Sequence, residues 1–355
     1  MTKKMRGLLF YLAIAMLLLA ACSKEEKVED PVPEPDEDEE IAEEEEPVEE
    51  VSVELFPSPF TGVMKEEENI RRPVLATINN HPLARPQSGI SDADIIYELA
   101  AEGSVTRLLA LFQSELPAEI GPIRSARDYF VHIAKGLDAF YVAHGYSPDA
   151  KQLLEKRVVD NVNGMQYDGT LFWRSRERRA PHNSYISGDN IVAAEEKTNS
   201  SMELSVIPPF AFLEFIEDAK IGDSVSSVTV KYSSDPNFTS VYAYDAEKGI
   251  YSRTVNGNVT VDKANDKQLE LSNILVFETA HRTIDNVGRQ AVDIESGGKA
   301  MLFQAGIARE IEWENRDGIL VPMENGLPAK LVPGKTWIHI VPTKPGLVTA
   351  VTYMP

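Results

Sequence analysis

Apolar residues in the first half of the chain form short runs that alternate between strand-like and helix-like spacing. They predict a buried strand over 73–79 and a hairpin with arms 95–101 and 105–112, although the second arm also suits a helix. In 125–137 the apolar positions recur at helical spacing. The order of these runs predicts strands and helices that follow one another closely.

A second strand–helix pair is predicted directly after this helix. Residues 139–143 form a short apolar run, and Ser147-Pro148 follows with the residue types of a helix N-cap and first turn. Strands that alternate with helices are typical of layered α/β structure. We therefore predict a mixed α/β domain over residues 56–198.

The second half is rich in short alternating runs separated by turn residues. Strands are predicted at 226–232, 240–244, 249–254, 258–262, 274–279, 290–294, 299–304, 308–313 and 336–341. Such a series predicts a β-rich domain, a sandwich or barrel, over 210–355, with a boundary in the polar and proline-containing segment 197–209. The predicted fold class is α+β, with a mixed α/β N-terminal domain followed by a β-rich C-terminal domain.

The first 21 residues have the pattern of a secretory signal peptide. Lys3, Lys4 and Arg6 precede an apolar run that is shorter than the ~20 residues needed to cross a bilayer. The run ends in Leu19-Ala20-Ala21-Cys22, which resembles the bacterial lipobox. This resemblance implies cleavage before Cys22, a diacylglycerol thioether on its sulfur and a fatty acyl group such as palmitate on its amine. The expected location is the extracytoplasmic face of the cell membrane, held by a lipid anchor.

Composition changes sharply between residues 22 and 55. Residues 24–54 contain 17 acidic residues and two lysines, a net charge of −15 in a chain of −21, together with four prolines. Like charges and prolines cannot bury a core, so this segment is predicted to be a disordered linker. The chain's net negative charge and extracytoplasmic location argue against a nucleic-acid partner.

Several kinds of site lack support in the sequence. Cys22 is the single cysteine, which leaves no disulfide or thiolate metal site, and the six histidines lie far apart along the chain. Gly334-Lys335-Thr336 resembles the end of a phosphate-binding loop, but the required earlier glycine is Ala329 and a strand follows. We therefore predict no metal and no cofactor.

Three segments concentrate cationic and hydrogen-bonding residues: 121–127, 144–147 and 172–183. Arginine binds carboxylate and phosphate oxygens in a bidentate manner, so these segments suggest an anion site. Its candidate residues are Arg124, Ser125, Arg127, His144, Ser147, Arg174, Arg178, His182 and Asn183. The alternatives are structural ion pairs, with Asp128, Asp160, Asp168 or Glu177 as partners, and a solvated basic loop.

The same segments carry a resemblance to a known family. Gly121-Pro122-Ile123-Arg124-Ser125-Ala126-Arg127, His144-Gly145 and Arg179-Ala180-Pro181-His182-Asn183 are similar to the first domain of the YerB-type bacterial lipoproteins. Val332-Pro333-Gly334-Lys335-Thr336-Trp337-Ile338 resembles the close of the family's β-rich second domain. The resemblance covers roughly 71–341 and implies two domains and an envelope location. It implies no reaction, because the family is one of unknown function.

Two classes of function remain open at this point. One is a binding module for an anionic envelope polymer or an acidic partner protein. The other is an envelope hydrolase or transferase, in which His144 or His182 acts as general acid or base and the arginines stabilise charge. A structural scaffold is a third possibility, and the oligomeric state is left open.

Overall fold

The structure, a computed structural model, describes residues 54–355. The predicted signal peptide, Cys22 and almost all of the predicted linker lie outside the described residues. The strands of the first half are β1 (Phe56–Pro57), β2 (Met64–Lys65), β3 (Val74–Asn79), β4 (Ile95–Glu102), β5 (Val105–Phe112), β6 (Phe140–Ala143), β7 (Asn161–Asn163), β8 (Phe172–Arg174) and β9 (Ser184–Ile186).

Five α-helices and three short 3-10 helices accompany the strands between residues 54 and 355. The α-helices are α1 (Asp128–Gly136), α2 (Pro148–Glu155), α3 (Gly164–Tyr167), α4 (Gly188–Thr198) and α5 (Leu347–Ala350). The 3-10 helices are Pro82–Ala84, Ile216–Ala219 and Pro236–Phe238.

The second half is dominated by strands. They are β10 (Ala211–Phe212), β11 (Asp223–Ser224), β12 (Ser227–Lys231), β13 (Thr239–Asp245), β14 (Ile250–Val255), β15 (Asn258–Val259), β16 (Glu270–Leu271), β17 (Asn273–Thr279), β18 (His281–Thr283), β19 (Gln290–Val292), β20 (Gly298–Gln304), β21 (Ile307–Arg316), β22 (Ile319–Glu324), β23 (Leu327–Pro328), β24 (Lys330–Leu331), β25 (Thr336–Pro342) and β26 (Val351–Met354). The described residues are rich in strands, which confirms that part of the predicted α+β class.

A twelve-stranded sheet contains strands from both halves of the chain. Its main order is β23-β22-β21-β20-β17-β25-β4-β5-β3-β6-β7, with β11 on β21. The strand β25 lies parallel to β17 on one side and to β4 on the other. A six-stranded sheet contains β12 to β16 and β26. The second half therefore does not close into a sandwich or barrel of its own, because five of its longer strands extend the sheet of the first half.

Two hydrophobic clusters cover the two faces of the large sheet. One includes Phe130 of α1 and Leu154 of α2, and the other includes Tyr242 and Tyr251 of the six-stranded sheet. Each cluster draws on both halves, since neighbouring residues of one strand point to opposite faces. The sequence length predicted two cores, and the structure has these two clusters on either side of a sheet that both halves of the chain share.

Local sequence signals explain several element boundaries. The predicted 95–112 hairpin is confirmed, and its second arm is a strand. The helix predicted at 125–137 begins at Asp128, so Arg127 is its N-cap residue and Arg124 precedes the helix. Ser147 caps α2 as predicted, with its hydroxyl accepting from the Ala150 amide. The strand predicted over 258–262 is shorter, Asn258–Val259.

Candidate functional site

The three polar segments meet at one end of the large sheet. Strands β3, β6 and β7 run parallel, and Asn79, His144 and Gly164 lie at or directly after their carboxyl ends. Backbone hydrogen bonds join the segments: the Ile123 amide donates to the Ser184 carbonyl at 2.6 Å, and the His144 amide to the Arg124 carbonyl at 2.9 Å. Carboxyl ends of parallel strands are common ligand positions in open sheets.

We name the side chains at this end the arginine–histidine cluster. Its members are Arg124, Arg174, Arg178, His81, His144 and His182. Burial lowers the pKa of each of the three histidines, and Arg124 is among the cations that lower it further in every case. The histidines are therefore neutral at pH 7, and the positive charge of the cluster resides on its arginines.

Arg124 is the cation of this cluster whose charge is least compensated. Its guanidinium is half-buried, and among residues 54–355 it makes no side-chain hydrogen bond and no ion pair. Burial lowers its pKa from the ordinary arginine value. A partly dehydrated cation without an acidic partner is unfavourable in the empty protein and would be stabilised by an anion.

His81 and His182 stack with ring centroids 4.6 Å apart. The Asn79 amide nitrogen lies 2.9 Å from His182 Nδ1, and the Leu83 backbone amide donates to His81 Nδ1 at 3.2 Å. Asn79 Oδ1 accepts from the His81 amide, which orients the Asn79 side chain with its NH2 group toward His182. Because both Nδ1 atoms accept, each neutral ring carries its proton on Nε2.

His144 is held on both ring nitrogens. Its Nε2 lies 2.9 Å from Arg174 Nη2, and its Nδ1 lies 2.7 Å from Ser184 Oγ. Arginine only donates, so Nε2 accepts and the ring proton lies on Nδ1, facing Ser184. A Cβ atom at Gly164 would collide with this ring, so the close approach requires glycine there.

Arg174 is neutralised, whereas Arg178 is not. Arg174 donates to both carboxylate oxygens of Asp168, to Oδ2 at 2.8 Å and to Oδ1 at 3.2 Å, and to Asn183 Oδ1 at 3.3 Å. Arg178 donates to the hydroxyl of Tyr185 and to the Pro86 carbonyl, and the structure shows no carboxylate within ion-pair distance of it between residues 54 and 355. Arg174 thus fits the structural ion-pair alternative, and Arg178 keeps its net charge.

Three other candidates have structural roles. Arg127 is buried and pairs with Glu102, which also accepts from Arg107 at 2.8 Å. Ser147 is occupied as the cap of α2, and the Ser125 hydroxyl donates to the His144 carbonyl at 3.2 Å. The structure therefore does not place Arg127 or Ser147 in the cluster. Arg127 forms an ion pair with Glu102, which lies 25 residues earlier in the chain, and the Ser147 hydroxyl accepts from a backbone amide of α2.

His81 belongs to the cluster but was not predicted. It follows Asn79 and Asn80 at the end of the buried run 74–79. A polar triplet at the end of a predicted central strand is a signal that sequence reasoning could have used. Across residues 54–355, no group of three or more histidine, cysteine, aspartate or glutamate side chains is arranged to hold a metal ion.

Comparison with known proteins assigns the chain to a family. Residues 60–201 match the DUF3048 N-terminal domain and residues 228–338 match the DUF3048 C-terminal domain, both described as of unknown function. The chain is 44% identical over 288 residues to "Putative lipoprotein YerB" of Bacillus subtilis (strain 168), covering 80% of this chain and 86% of that protein.

The fold is similar to a solved structure as well. The crystal structure of the YerB protein from Bacillus subtilis matches with a TM-score of 0.77 at 42% identity, over 84% of this chain and all of that one. Sequence identity of this extent, both domain matches and the common fold agree with one another. The chain is therefore a member of the YerB family, the two-domain DUF3048 proteins.

Proposed function

We propose that the protein is a membrane-anchored extracytoplasmic lipoprotein that binds an anionic ligand through the arginine–histidine cluster. The observation that carries the proposal is Arg124, a half-buried guanidinium without an acidic partner among the described residues. Arg178 adds a second cation, and the ligand would supply the missing negative charge. An anionic envelope polymer or an acidic segment of an envelope protein fits this chemistry.

The neutral histidines favour a compact oxyanion. The Nδ1 atoms of His182 and His81 accept from Asn79 and Leu83, which leaves the Nε2–H of each of these two rings as a donor without a partner among residues 54–355. A phosphate or carboxylate group can accept from a guanidinium fork and from imidazole N–H groups together. Arg124, His81 and His182 would then bind the ligand, while Arg174, which also donates to Asn183, holds His144.

The geometry does not favour a hydrolase or transferase. A histidine that activates a serine must accept the hydroxyl proton, but His144 carries its proton on the nitrogen facing Ser184. Ser184 is also buried, with 1% of its surface exposed. Neutral His182 presents N–H rather than a free acceptor, so it lacks the lone pair that a general base needs on that side.

The anchor rests on the leader sequence and on the relative's name. Cys22 lies outside the described residues, and no helix within residues 54–355 has the length and apolar character to span a membrane. Two or three acyl chains suffice for stable anchoring, whereas a single chain is marginal. The acidic segment 24–54 would act as a spacer between the bilayer and the domain.

Replacing Cys22 by serine is expected to release the protein from the membrane or to leave its leader uncleaved. Serine has no thiol to receive the lipid, so neither lipidation nor the processing that follows it can occur. Cell fractionation and the mass of the mature chain measure the outcome. Normal processing together with membrane retention of the C22S chain would rule out the anchor.

Phosphate is expected to raise the melting temperature more than chloride does at equal ionic strength. A ligand that binds only the folded state adds about 2.7 kcal/mol of stability at 100 times its dissociation constant. Arg124→Gln should remove most of the difference between phosphate and chloride, and Arg178→Ala should reduce it. Differential scanning fluorimetry on the full chain measures the shifts.

Arg316→Gln is the matched control, because Arg316 is exposed and pairs with Glu314 at 3.2 Å far along the chain from the cluster. Its melting temperature should respond to phosphate as the unaltered chain does. Equal responses to the two anions, or an unchanged response in the Arg124 variant, would indicate a general salt effect and contradict the proposed site.

A further inference from the structure

A cavity that contains none of the members of the arginine–histidine cluster is lined in part by residues that follow His81 in the chain. Its volume is about 380 Å³, within the size range of small-ligand sites, and it is lined by Pro82, Arg85, Pro86, Gln87, Asn237, Arg253, Val255, Asn256, Asn258, Val259, Thr260 and Val261. None of its twelve lining residues is an aspartate or glutamate, although the chain contains 56 acidic residues. The wall of the cavity is therefore cationic and neutral.

Two arginines provide the charge of this cavity. Arg85 donates to the Asn80 side chain at 3.1 Å and to the carbonyls of Asn80 and Asn237 at 2.7 and 2.9 Å, all of them neutral groups. Burial, and next the nearby Arg253, lower the pKa of Arg85 to about 10, although the nearby carboxylates of Glu98 and Asp235 act in the opposite direction. The guanidinium groups of Arg85 and Arg253 repel each other and are partly shielded from water. An anionic ligand bound between them would reduce this repulsion.

Arg253 is bound to the protein core but is not fully satisfied. It is 3% exposed, its guanidinium lies 4.3 Å from the ring centre of Trp337, and it donates to Glu98 at 3.3 Å and to Thr260 at 3.1 Å. Its buried Nε has no hydrogen-bond partner among the described residues. Glu98 therefore forms its ion pair with Arg253, whereas Arg85 makes hydrogen bonds to neutral groups only.

The remaining residues that line the cavity could bind an amide N–H and an aliphatic side chain of a ligand. Gln87 donates through Nε2 to the Asn79 carbonyl and the Asn80 side chain, which leaves its Oε1 as an acceptor. Val255, Val259 and Val261 provide apolar surface. A sugar phosphate would use the arginines but not the valines, whereas the end of an aliphatic peptide has a carboxylate, amides and methyl groups together.

We propose that this cavity binds the free C-terminal carboxylate of a short aliphatic peptide. The carboxylate would bind the Arg85 guanidinium, a backbone N–H would donate to Gln87 Oε1, and the side chain would contact the valines. The site is independent of Arg124, so it stands or falls separately from the anion site proposed above. The same chemistry is present in a free peptide and at the end of a protein chain.

The test compares N-acetyl-alanyl-valine with the same dipeptide as its C-terminal amide, by calorimetric titration of the full chain in detergent. The free acid is expected to bind, and the amide at least about tenfold more weakly, because it lacks the charge that Arg85 requires. Inorganic phosphate in a third titration, made on the Arg124→Gln chain so that the arginine–histidine cluster does not bind it, shows whether any small anion suffices; binding as tight as that of the free acid would contradict a peptide site.

Three variants locate the binding. Arg85→Gln should weaken the free acid about tenfold or more, and Asn258→Trp, at an exposed lining position, should block the cavity without disturbing the core. Arg124→Gln should leave the affinity unchanged. Absence of binding at about 5 mM, equal binding of acid and amide, or a loss confined to Arg124→Gln would each overturn the proposal.

Discussion

Glu98→Gln is expected to lower the free energy of unfolding by about 3–5 kcal/mol, the usual penalty for removing one member of a buried ion pair. Glu98 is 1% exposed and accepts from Thr106 at 2.8 Å, Asn80 at 3.1 Å and Arg253 at 3.3 Å. Burial by itself would raise its pKa, but Arg253 and then His339 hold that pKa below its usual range. The carboxylate is therefore charged at pH 7.

The amide of glutamine keeps the shape of Glu98 and removes its charge. Arg253 would then remain buried without the carboxylate that forms its ion pair. Urea unfolding at pH 7 measures the loss. Glu314→Gln is the control, since Glu314 and Arg316 form an exposed pair and should contribute below about 1 kcal/mol. Equal losses in the two variants would show that the buried network does not depend on its charge.

Acid is expected to destabilise the protein through His339 before the carboxylates titrate. His339 is fully buried; its Nε2 lies 2.6 Å from the Tyr242 hydroxyl and its Nδ1 lies 3.3 Å from that of Tyr232. The Tyr232 hydroxyl donates to the Glu98 carbonyl, so it accepts from His339 Nδ1 and the other ring nitrogen must accept from Tyr242. Burial lowers the pKa of His339 to about 4, and protonation would abolish the bond from Tyr242.

Because burial lowers the pKa of His339, the free energy of unfolding should decrease as the pH falls. An unfolded histidine titrates near 6.5, so the unfolded chain binds more protons than the folded one below that pH. The stability due to neutral His339 is complete above about 6.5 and is lost as the pH falls toward 4. Between pH 7 and pH 4.5 the loss is about 2–3 kcal/mol.

His339→Gln isolates this contribution, because glutamine can accept from Tyr242 and donate to Tyr232 without binding a proton. The free energy of unfolding is measured at pH 7 and at pH 4.5. Its decrease between these two pH values should be smaller in this variant than in the unaltered chain, by about 2–3 kcal/mol. The histidines of the arginine–histidine cluster titrate in both proteins, so their contribution cancels. An identical pH dependence in the two proteins would contradict the neutral state of His339.

Local patterns were sufficient to predict much of the secondary structure. The hairpin 95–112 and the cap at Ser147 depend on residues that are adjacent in sequence, and both are present. The position of β25 could not be predicted, because its partner β4 lies about 240 residues earlier and periodicity carries no information on which strands pair. The same limit explains why the sheet that both halves share could not be predicted.

In the candidate site, too, local sequence patterns identified some residues, whereas contacts between distant parts of the chain determined the role of others. Arg124, His144 and His182 were found because their segments are unusually cationic for this chain, and the structure brings them together. Arg127 was assigned by the same reasoning, yet Glu102 neutralises it from the neighbouring hairpin. The cavity between Arg85 and Arg253 has no sequence signal, since its two arginines lie 168 positions apart and neither belongs to a cationic run.

The central place of β25 has a consequence for how the protein can be made. Strands β4 and β17 each pair with β25 and do not pair with each other, so until residues 336–342 arrive the sheet consists of two pieces with open, apolar edges. A nascent chain emerging from its N-terminus cannot complete the sheet before residues 336–342 have been synthesised. Loss of the last twenty residues by proteolysis or a premature stop would therefore affect both halves together, and the outcome would be aggregation or degradation of the whole domain rather than a partly working product.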